Sequence, residues 1–287
     1  MVVWLLVKLL LILYLQVSVQ AAPESKTLPG SEECAGCHDP GRRTGKREAG
    51  VPPAYDEAAL KASPHASLEC SSCHSDVDPK QLPHAEKLAK VECGNCHADQ
   101  QKHYDESLHG KALSRGDKLA PTCKDCHGTH HVLSPSTPGS SVSVTEVPKL
   151  CGRCHREGSP VSLTHDIPQT DIFGNYADSI HGEGLFKRGL TVTAVCTSCH
   201  TSHSVLPHTD PRSSIAAKNI AKTCMRCHSQ IEAVHQKVIR GELWEKQSHL
   251  IPACVDCHEP HKIRRVFYAQ GMSDHDCLRC HGKSDLT

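Results

Sequence analysis

The chain has 287 residues, and its 32 basic and 32 acidic side chains give a formal net charge of zero. No run of basic residues is interleaved with aromatic ones, which form only 3% of the chain, so a nucleic-acid-binding role is excluded. The distinguishing feature of the composition is 18 cysteines and 23 histidines.

The first segment, residues 1–21, is nearly all apolar. Lys8 is its single charge, and the small residues Val19 and Ala21 stand where a signal peptidase site requires them. This pattern favours a cleaved signal peptide over a retained membrane anchor. In either case we expect an exported protein, in the periplasm, on the outer face of the cytoplasmic membrane or outside the cell.

Nine CxxCH motifs follow, and together they use every cysteine. Two sulfurs at this spacing form thioethers with the two vinyl groups on one edge of a porphyrin, and the adjacent histidine then reaches the iron. Nine disulfides would not require a histidine after each second cysteine, and zinc sites built from paired motifs would leave one motif over. We therefore predict nine c-type haems as the cofactors. The cysteines that attach them are Cys34, Cys37, Cys70, Cys73, Cys93, Cys96, Cys123, Cys126, Cys151, Cys154, Cys196, Cys199, Cys224, Cys227, Cys254, Cys257, Cys277 and Cys280, and the proximal iron ligands are His38, His74, His97, His127, His155, His200, His228, His258 and His281.

Nine haems leave too little polypeptide to enclose each one in apolar side chains, so the porphyrins themselves take the place of a hydrophobic core. We expect a mainly α fold with extensive loops, in which short ligand-bearing helices surround stacked haems with little or no β-sheet. The chain without haem is not expected to fold, because ligation supplies the folding free energy.

A fixed order of histidines repeats along the chain, and it defines the predicted segments. Three repeats each pair two motifs: the first spans 93–131, the second 149–208 and the third 209–265. Residues 22–92 carry a degenerate pair, because Val77 replaces the histidine expected three residues past His74. The Ser/Pro-rich residues 132–148 are expected to form a linker, and 266–287 carry the ninth motif, with Ser284 three residues past His281.

Fourteen histidines lie outside the motifs, and twelve of them fit the repeated order, which makes them candidate distal iron ligands. One class stands in a Ser-x-His or similar triplet, and another lies three residues past a motif histidine. Methionine is too rare to serve nine irons, so bis-histidine ligation is expected, which leaves each iron six-coordinate and low-spin. The candidates are His65, His84, His103, His109, His130, His165, His181, His203, His235, His249, His261 and His275.

Two stretches carry a family resemblance: SLHGKALSRGDKLAPTCKDCHGTH from Ser107 and SIHGEGLFKRGLTVTAVCTSCHTSH from Ser179. They resemble the haem-pair segments of periplasmic multihaem cytochromes c with doubled CxxCH motifs, the grouping of cytochrome c3-like and cytochrome c554-like proteins. The resemblance implies closely packed haems that carry electrons. It also implies redox partner proteins, such as a quinol-oxidising cytochrome b or iron–sulfur subunit in the membrane.

The leading hypothesis is a respiratory electron relay, because an iron closed on both faces passes an electron but binds no substrate. One alternative is a multihaem oxidoreductase of the nitrite, hydroxylamine or tetrathionate type with one open haem, although no CxxCK motif is present. The other is an extracellular filament of protomers. No catalytic residue is assigned.

Overall fold

The computed structural model describes residues 32–38, 55–229 and 254–263. Within these ranges the chain forms short helices joined by long loops and no strand. The predicted fold class, mainly α with little or no sheet, is confirmed for this part of the chain. Residues 1–21 and 266–287 and the candidates His235, His249 and His275 lie outside the described residues.

The chain divides into two compact bodies. The first comprises residues 1–55 and 67–89, and the second comprises residues 56–66 and 90–287. The described helices of the first body are α1 (Glu32–His38) and α3 (Cys70–Cys73). Both therefore coincide with CxxCH motifs.

The second body holds the three repeats. Its helices are α2 (Glu57–Ala62), α4 (Ala98–Glu106), α5 (Leu108–Ser114), α6 (Cys123–His127), α7 (Val147–Gly152), α8 (Pro160–Thr164), α9 (Ile172–Ala177), α10 (Ile180–Arg188), α11 (Cys196–His200), α12 (Ala217–Met225) and α13 (Cys254–Cys257), with a 3₁₀ turn at Cys93–Asn95. Helix α7 packs against α11, α11 against α12, and α12 against α13. The motif-bearing helices thus follow one another in space as they do in sequence.

Helices α5 and α10 begin in the same way, at the Ser-x-His-Gly sequences. The buried hydroxyls of Ser107 and Ser179 accept from the amides of Gly110 and Gly182, each at 3.1 Å, which caps the helix N-terminus. A Cβ on either glycine would overlap the carbonyl oxygen of a tyrosine three residues before the serine. The sequence therefore fixes a close turn that holds the histidine between serine and glycine.

The loops after the second motif of the first and second repeats also match. Ser140 Oγ donates to the Leu133 carbonyl at 3.2 Å, and Ser213 Oγ donates to the Leu206 carbonyl at 3.1 Å. Residues 132–148, predicted as a linker, are packed rather than extended into solvent, since Ser140 is 1% exposed and Pro148 is fully buried. Ser140 and its neighbours thus form internal turns, and the role of residues 132–148 as a linker stays a prediction.

Apolar side chains contribute little to the interior of the described residues. Only seven hydrophobic residues there are buried, and the one cluster they form consists of Val147, Leu185 and Val195 packed on Cys151 and Cys196. This supports the expectation that side chains do not form the core by themselves. Among the described residues, no helix is both long enough and apolar enough to span a bilayer.

Candidate haem sites

The two motifs of each repeat meet at their first cysteines. In the second body the sulfurs of Cys93 and Cys123, of Cys151 and Cys196, and of Cys224 and Cys254 lie close enough for one thiol to shift the pKa of the other. In the first body Cys34 and Cys70 are close in the same way. Two motifs far apart in sequence are therefore adjacent wherever a pair was predicted.

Consecutive repeats meet through an arginine that the sequence analysis did not single out. Arg153, inside one motif, donates to the carbonyl of Asp125 in the preceding motif, and Arg226 donates at 2.6 Å to the carbonyl of Ser198. Cys199 lies close enough to Cys227 for its pKa to respond to that thiol. Since contacts within and between repeats alternate, the motifs from Cys93 to His258 form one row in chain order.

Among the described residues, six pairs of imidazole rings face each other, each within one body, and each pair joins one motif histidine to one histidine outside the motifs. The ring centres are 5.8–6.2 Å apart. The pairs are His38 with His84, His97 with His65, His155 with His109, His127 with His203, His228 with His181, and His200 with His261.

This spacing fits haem. Two imidazoles that bind one iron from opposite faces, each through a nitrogen about 2.0 Å from the metal, have ring centres about 6 Å apart. The most nearly parallel pairs are His38 with His84, at 5°, and His200 with His261, at 11°. In the described residues, no three His, Cys, Asp or Glu side chains converge as in a metal site built from protein ligands alone.

Two of the facing histidines have their second nitrogen fixed. Nδ1 of His84 is 2.7 Å from the carbonyl oxygen of Ala85, and Nδ1 of His261 is 2.8 Å from Oε1 of Gln169. Because an oxygen acceptor requires the proton on Nδ1, the Nε2 lone pair of each ring remains available. This is the tautomer that binds a metal through Nε2.

Burial also favours the neutral form of several of the facing rings. It lowers the pKa of His109, His155, His181 and His200, and it combines with the nearby His200 and His155 to lower the pKa of His261 to about 4. A neutral imidazole is the form that binds iron. The surroundings of these rings thus favour the neutral imidazole that binds iron, independently of any bound metal.

The structure pairs six of the twelve predicted distal candidates with a motif histidine: His65, His84, His109, His181, His203 and His261. His165 is bonded elsewhere, with Nε2 2.7 Å from Asp117 Oδ2 and Nδ1 2.9 Å from Thr164 Oγ1. His103 lies on α4, near enough to His203 to contribute to the lowered pKa of that ring. His130 is an exposed residue just past α6.

Two tyrosines that position the sites were not predicted from the sequence. Tyr104 Oη donates to the Pro121 carbonyl at 2.6 Å, and Tyr176 Oη donates to the Ala194 carbonyl at 3.0 Å, in each case two residues before a motif cysteine. Both tyrosines begin the sequence pattern Tyr-x-x-Ser-x-His-Gly, which occurs at Tyr104 and again at Tyr176 and could have identified them. The bond ties each Ser-x-His turn to the second motif of its repeat.

These sites, CxxCH pairs in a row with facing imidazoles, define a multihaem c-type cytochrome, a class that transfers electrons. The family model described as outer membrane cytochrome MtrC/MtrF-like, domains II/IV, matches residues 119–271, more than half of the chain, and the chain belongs to this family. Neither the curated proteins nor the solved structures give a match. Multihaem cytochrome c is therefore confirmed as the class, while the likeness to cytochrome c3-like and c554-like proteins and the count of nine haems stay predictions.

Proposed function

We propose that the protein carries nine c-type haems and relays single electrons along the row of motifs, between redox partner proteins of a respiratory chain. The observation that carries the proposal is the alternation of Cys93–Cys123, Cys151–Cys196 and Cys224–Cys254 contacts with the arginine contacts between repeats. Because each cysteine is an attachment point, neighbouring motifs that touch bring neighbouring haem edges together. Electron transfer between haems requires that their edges lie close together.

The described residues have distinct roles in this proposal. The two cysteines of each motif hold the porphyrin, the motif histidine binds the iron on one face, and the facing histidine binds it on the other. The haem irons supply one-electron oxidation and reduction. The facing histidines close the second face against small molecules, which supports a carrier rather than an enzyme.

Location follows from two independent features. The family to which the chain belongs is that of outer membrane cytochromes, and the apolar residues 1–21 resemble a signal for export. We therefore propose an exported protein that acts in the periplasm or at the outer membrane and cell exterior. Its donor is a quinol-linked membrane protein, and its acceptor is a redox protein farther out.

Mass spectrometry and EPR of the exported protein test the proposal. We expect the mass of the processed chain plus nine haems, low-spin ferric signals and no stoichiometric carbon monoxide binding after reduction. Fewer haems, or free thiols and disulfides, would refute the cofactor assignment. A stoichiometric high-spin signal with carbon monoxide binding would instead support the oxidoreductase alternative.

A further inference from the structure

The facing imidazoles come from different repeats. His109 of the first repeat faces His155 of the second, and His181 of the second faces His228 of the third. The contacts also run the other way. His203 of the second repeat faces His127 of the first, and His261 of the third faces His200 of the second. At both junctions, one histidine therefore crosses in each direction.

A backbone hydrogen bond sets the register of both junctions. The amide of Leu108, just before His109, donates to the carbonyl of Val205 at 2.9 Å, and the amide of Ile180 donates to Ile263 at 2.8 Å. In both cases the donor residue immediately precedes the histidine that faces the next repeat, His109 or His181. The acceptor lies two residues past the histidine that faces the preceding repeat, His203 or His261. One bond thus positions both crossing imidazoles.

The second junction has a further support. Gln169 of the second repeat accepts from Nδ1 of His261 at 2.8 Å and donates to the Pro260 carbonyl at 3.2 Å. His261 of the third repeat is therefore oriented by a residue of the second repeat, whose His200 it faces. A ring held in this way presents Nε2 to His200.

We infer that successive repeats exchange axial ligands. At the two described junctions, the Ser-x-His histidine of one repeat binds the first haem iron of the next, and the histidine three residues past the second motif binds the second haem iron of the preceding repeat. The inference rests on the proposed haem ligation and goes beyond it, because it assigns four irons their second ligand. At both described junctions, two irons cross-link the neighbouring repeats.

The exchange implies that a repeat does not complete its own ligand sets. The second repeat, for example, receives His109 and His261 from its neighbours and gives away His181 and His203. The forward contact of His65 with His97 follows the same rule at the start of the second body, at 6.0 Å. The ligation is therefore a property of the series and not of any single pair of motifs.

The test uses the full-length haem-loaded protein with His109→Ala and, separately, His203→Ala. We expect each variant to keep nine haems by mass and to gain one high-spin iron and one equivalent of bound carbon monoxide after reduction. The matched control is His208→Ala, which removes a histidine of the same repeat as His203 that is not among the twelve candidate ligands, and it should leave the spectra unchanged.

Peptide mapping locates the opened iron. Hydrogen peroxide reacts at a five-coordinate haem and modifies that haem first, so its peptide is identified by mass. For His109→Ala we expect the Cys151 peptide, and for His203→Ala the Cys123 peptide. Modification of the Cys93 or Cys123 peptide in the first variant, or of the Cys151 or Cys196 peptide in the second, would overturn the exchange and leave bis-histidine ligation intact.

A second variant tests the same inference if the alanine variants accumulate poorly. His109→Met offers a thioether ligand that keeps the iron six-coordinate and raises its potential relative to bis-histidine ligation. We expect one of nine haems to titrate at higher potential, and the introduced methyl resonance to correlate with the haem attached at Cys151. Correlation with a haem of the first repeat would refute the exchange. A wild-type protein that lacks nine haems would refute the proposed function itself.

Discussion

Tyr176 Oη donates to the carbonyl of Ala194 at 3.0 Å and so ties the start of α10 to the segment that enters the Cys196 motif. The ring is 7% exposed, and burial raises the pKa of its phenol. Tyr176→Phe removes only the hydroxyl and leaves the Ala194 carbonyl without this donor. We expect a loss of about 1 kcal/mol in unfolding free energy, measured by urea denaturation of the haem-loaded protein.

The matched comparison is Tyr104→Phe, which removes the equivalent bond to the Pro121 carbonyl in the first repeat and should cost a similar amount of stability. If Tyr176→Phe is neutral, the bond contributes nothing to the packing of α10.

Gly182 is required by the turn that holds His181. A methyl group there would overlap the Tyr176 carbonyl oxygen, which is backbone and cannot rotate away. Gly182→Ala in an ordinary helix would stabilise by about 1 kcal/mol, but here we expect a loss of about 2 kcal/mol from overpacking. We also expect one high-spin haem by EPR, because His181 moves away from His228.

Gly184→Ala, on the same helix, is the matched control. Its Cβ would approach Thr193 Oγ1 at 3.2 Å, a side-chain atom that is able to shift. A smaller loss and an unchanged EPR spectrum are expected. Equal effects from both alanines would contradict the specific role of Gly182.

Arg226 places a permanent positive charge between two consecutive motifs. Its guanidinium donates to the Ser198 carbonyl at 2.6 Å. Arg226→Gln removes a charge that disfavours oxidation of the nearby irons, so we expect one or two midpoint potentials to fall on the order of tens of millivolts. Spectroelectrochemical titration measures this, and Arg188→Gln at the end of α10 should have a smaller effect.

Asp210 gives a pH dependence with a defined sign. Hydrogen bonds from Arg212 lower the pKa of this carboxyl from 3.8 to about 2, and Lys111 adds to the effect. Because the folded-state pKa is depressed, the contribution to stability is complete above pH 3.8 and is lost as the pH falls through 2. The Arg212 side chain is 57% exposed, so solvent screens the pair and the effect is small.

Comparison of wild type with Asp210→Asn isolates this contribution. The difference between their urea midpoints should be constant at neutral pH and shrink between pH 4 and pH 2, the window set by the shift from 3.8 to about 2. A difference that grows with acidification would show the opposite sign and refute the assignment.

Removal of the haems tests the origin of the fold. With every motif cysteine replaced by serine, we expect an exported chain with weak helical circular dichroism and no cooperative thermal transition, because ligation supplies the folding free energy. The few buried apolar residues, such as Val147 and Leu185, are too few to compensate. A cooperative transition in the haem-free chain would refute this expectation.

Local features were predictable from the sequence, and partners across repeats were not. The CxxCH motifs, the helical class and the Ser-x-His turns depend on residues close in sequence, so spacing reveals them. The matching of His109 to His155 depends on how one repeat stacks on the next, which spacing within a repeat does not encode. For this reason the sequence predicted the candidate histidines but did not assign any of them to a particular iron.

His165 illustrates the same limit. It occupies the place in the second repeat that His103 occupies in the first, so the repeated order favoured it as a ligand. In the structure its ring nitrogens lie beside Thr164 and Asp117. Position in a repeat predicts that a histidine is present but not which atoms surround it, and the role of His165 as an iron ligand stays a prediction.

The paired crossings between repeats bear on how such a chain lengthens. A duplicated segment inserted at a junction such as that of Leu108 and Val205 meets, on each side, the same amide–carbonyl bond and the same two facing rings. The inserted repeat contributes one imidazole to the repeat that follows it and one to the repeat that precedes it, and it receives one imidazole from each of them. Under the proposed ligand exchange, gene duplication would therefore lengthen the row of haems and leave no iron without its second ligand, so the molecule would be modular in evolution although no repeat is self-sufficient.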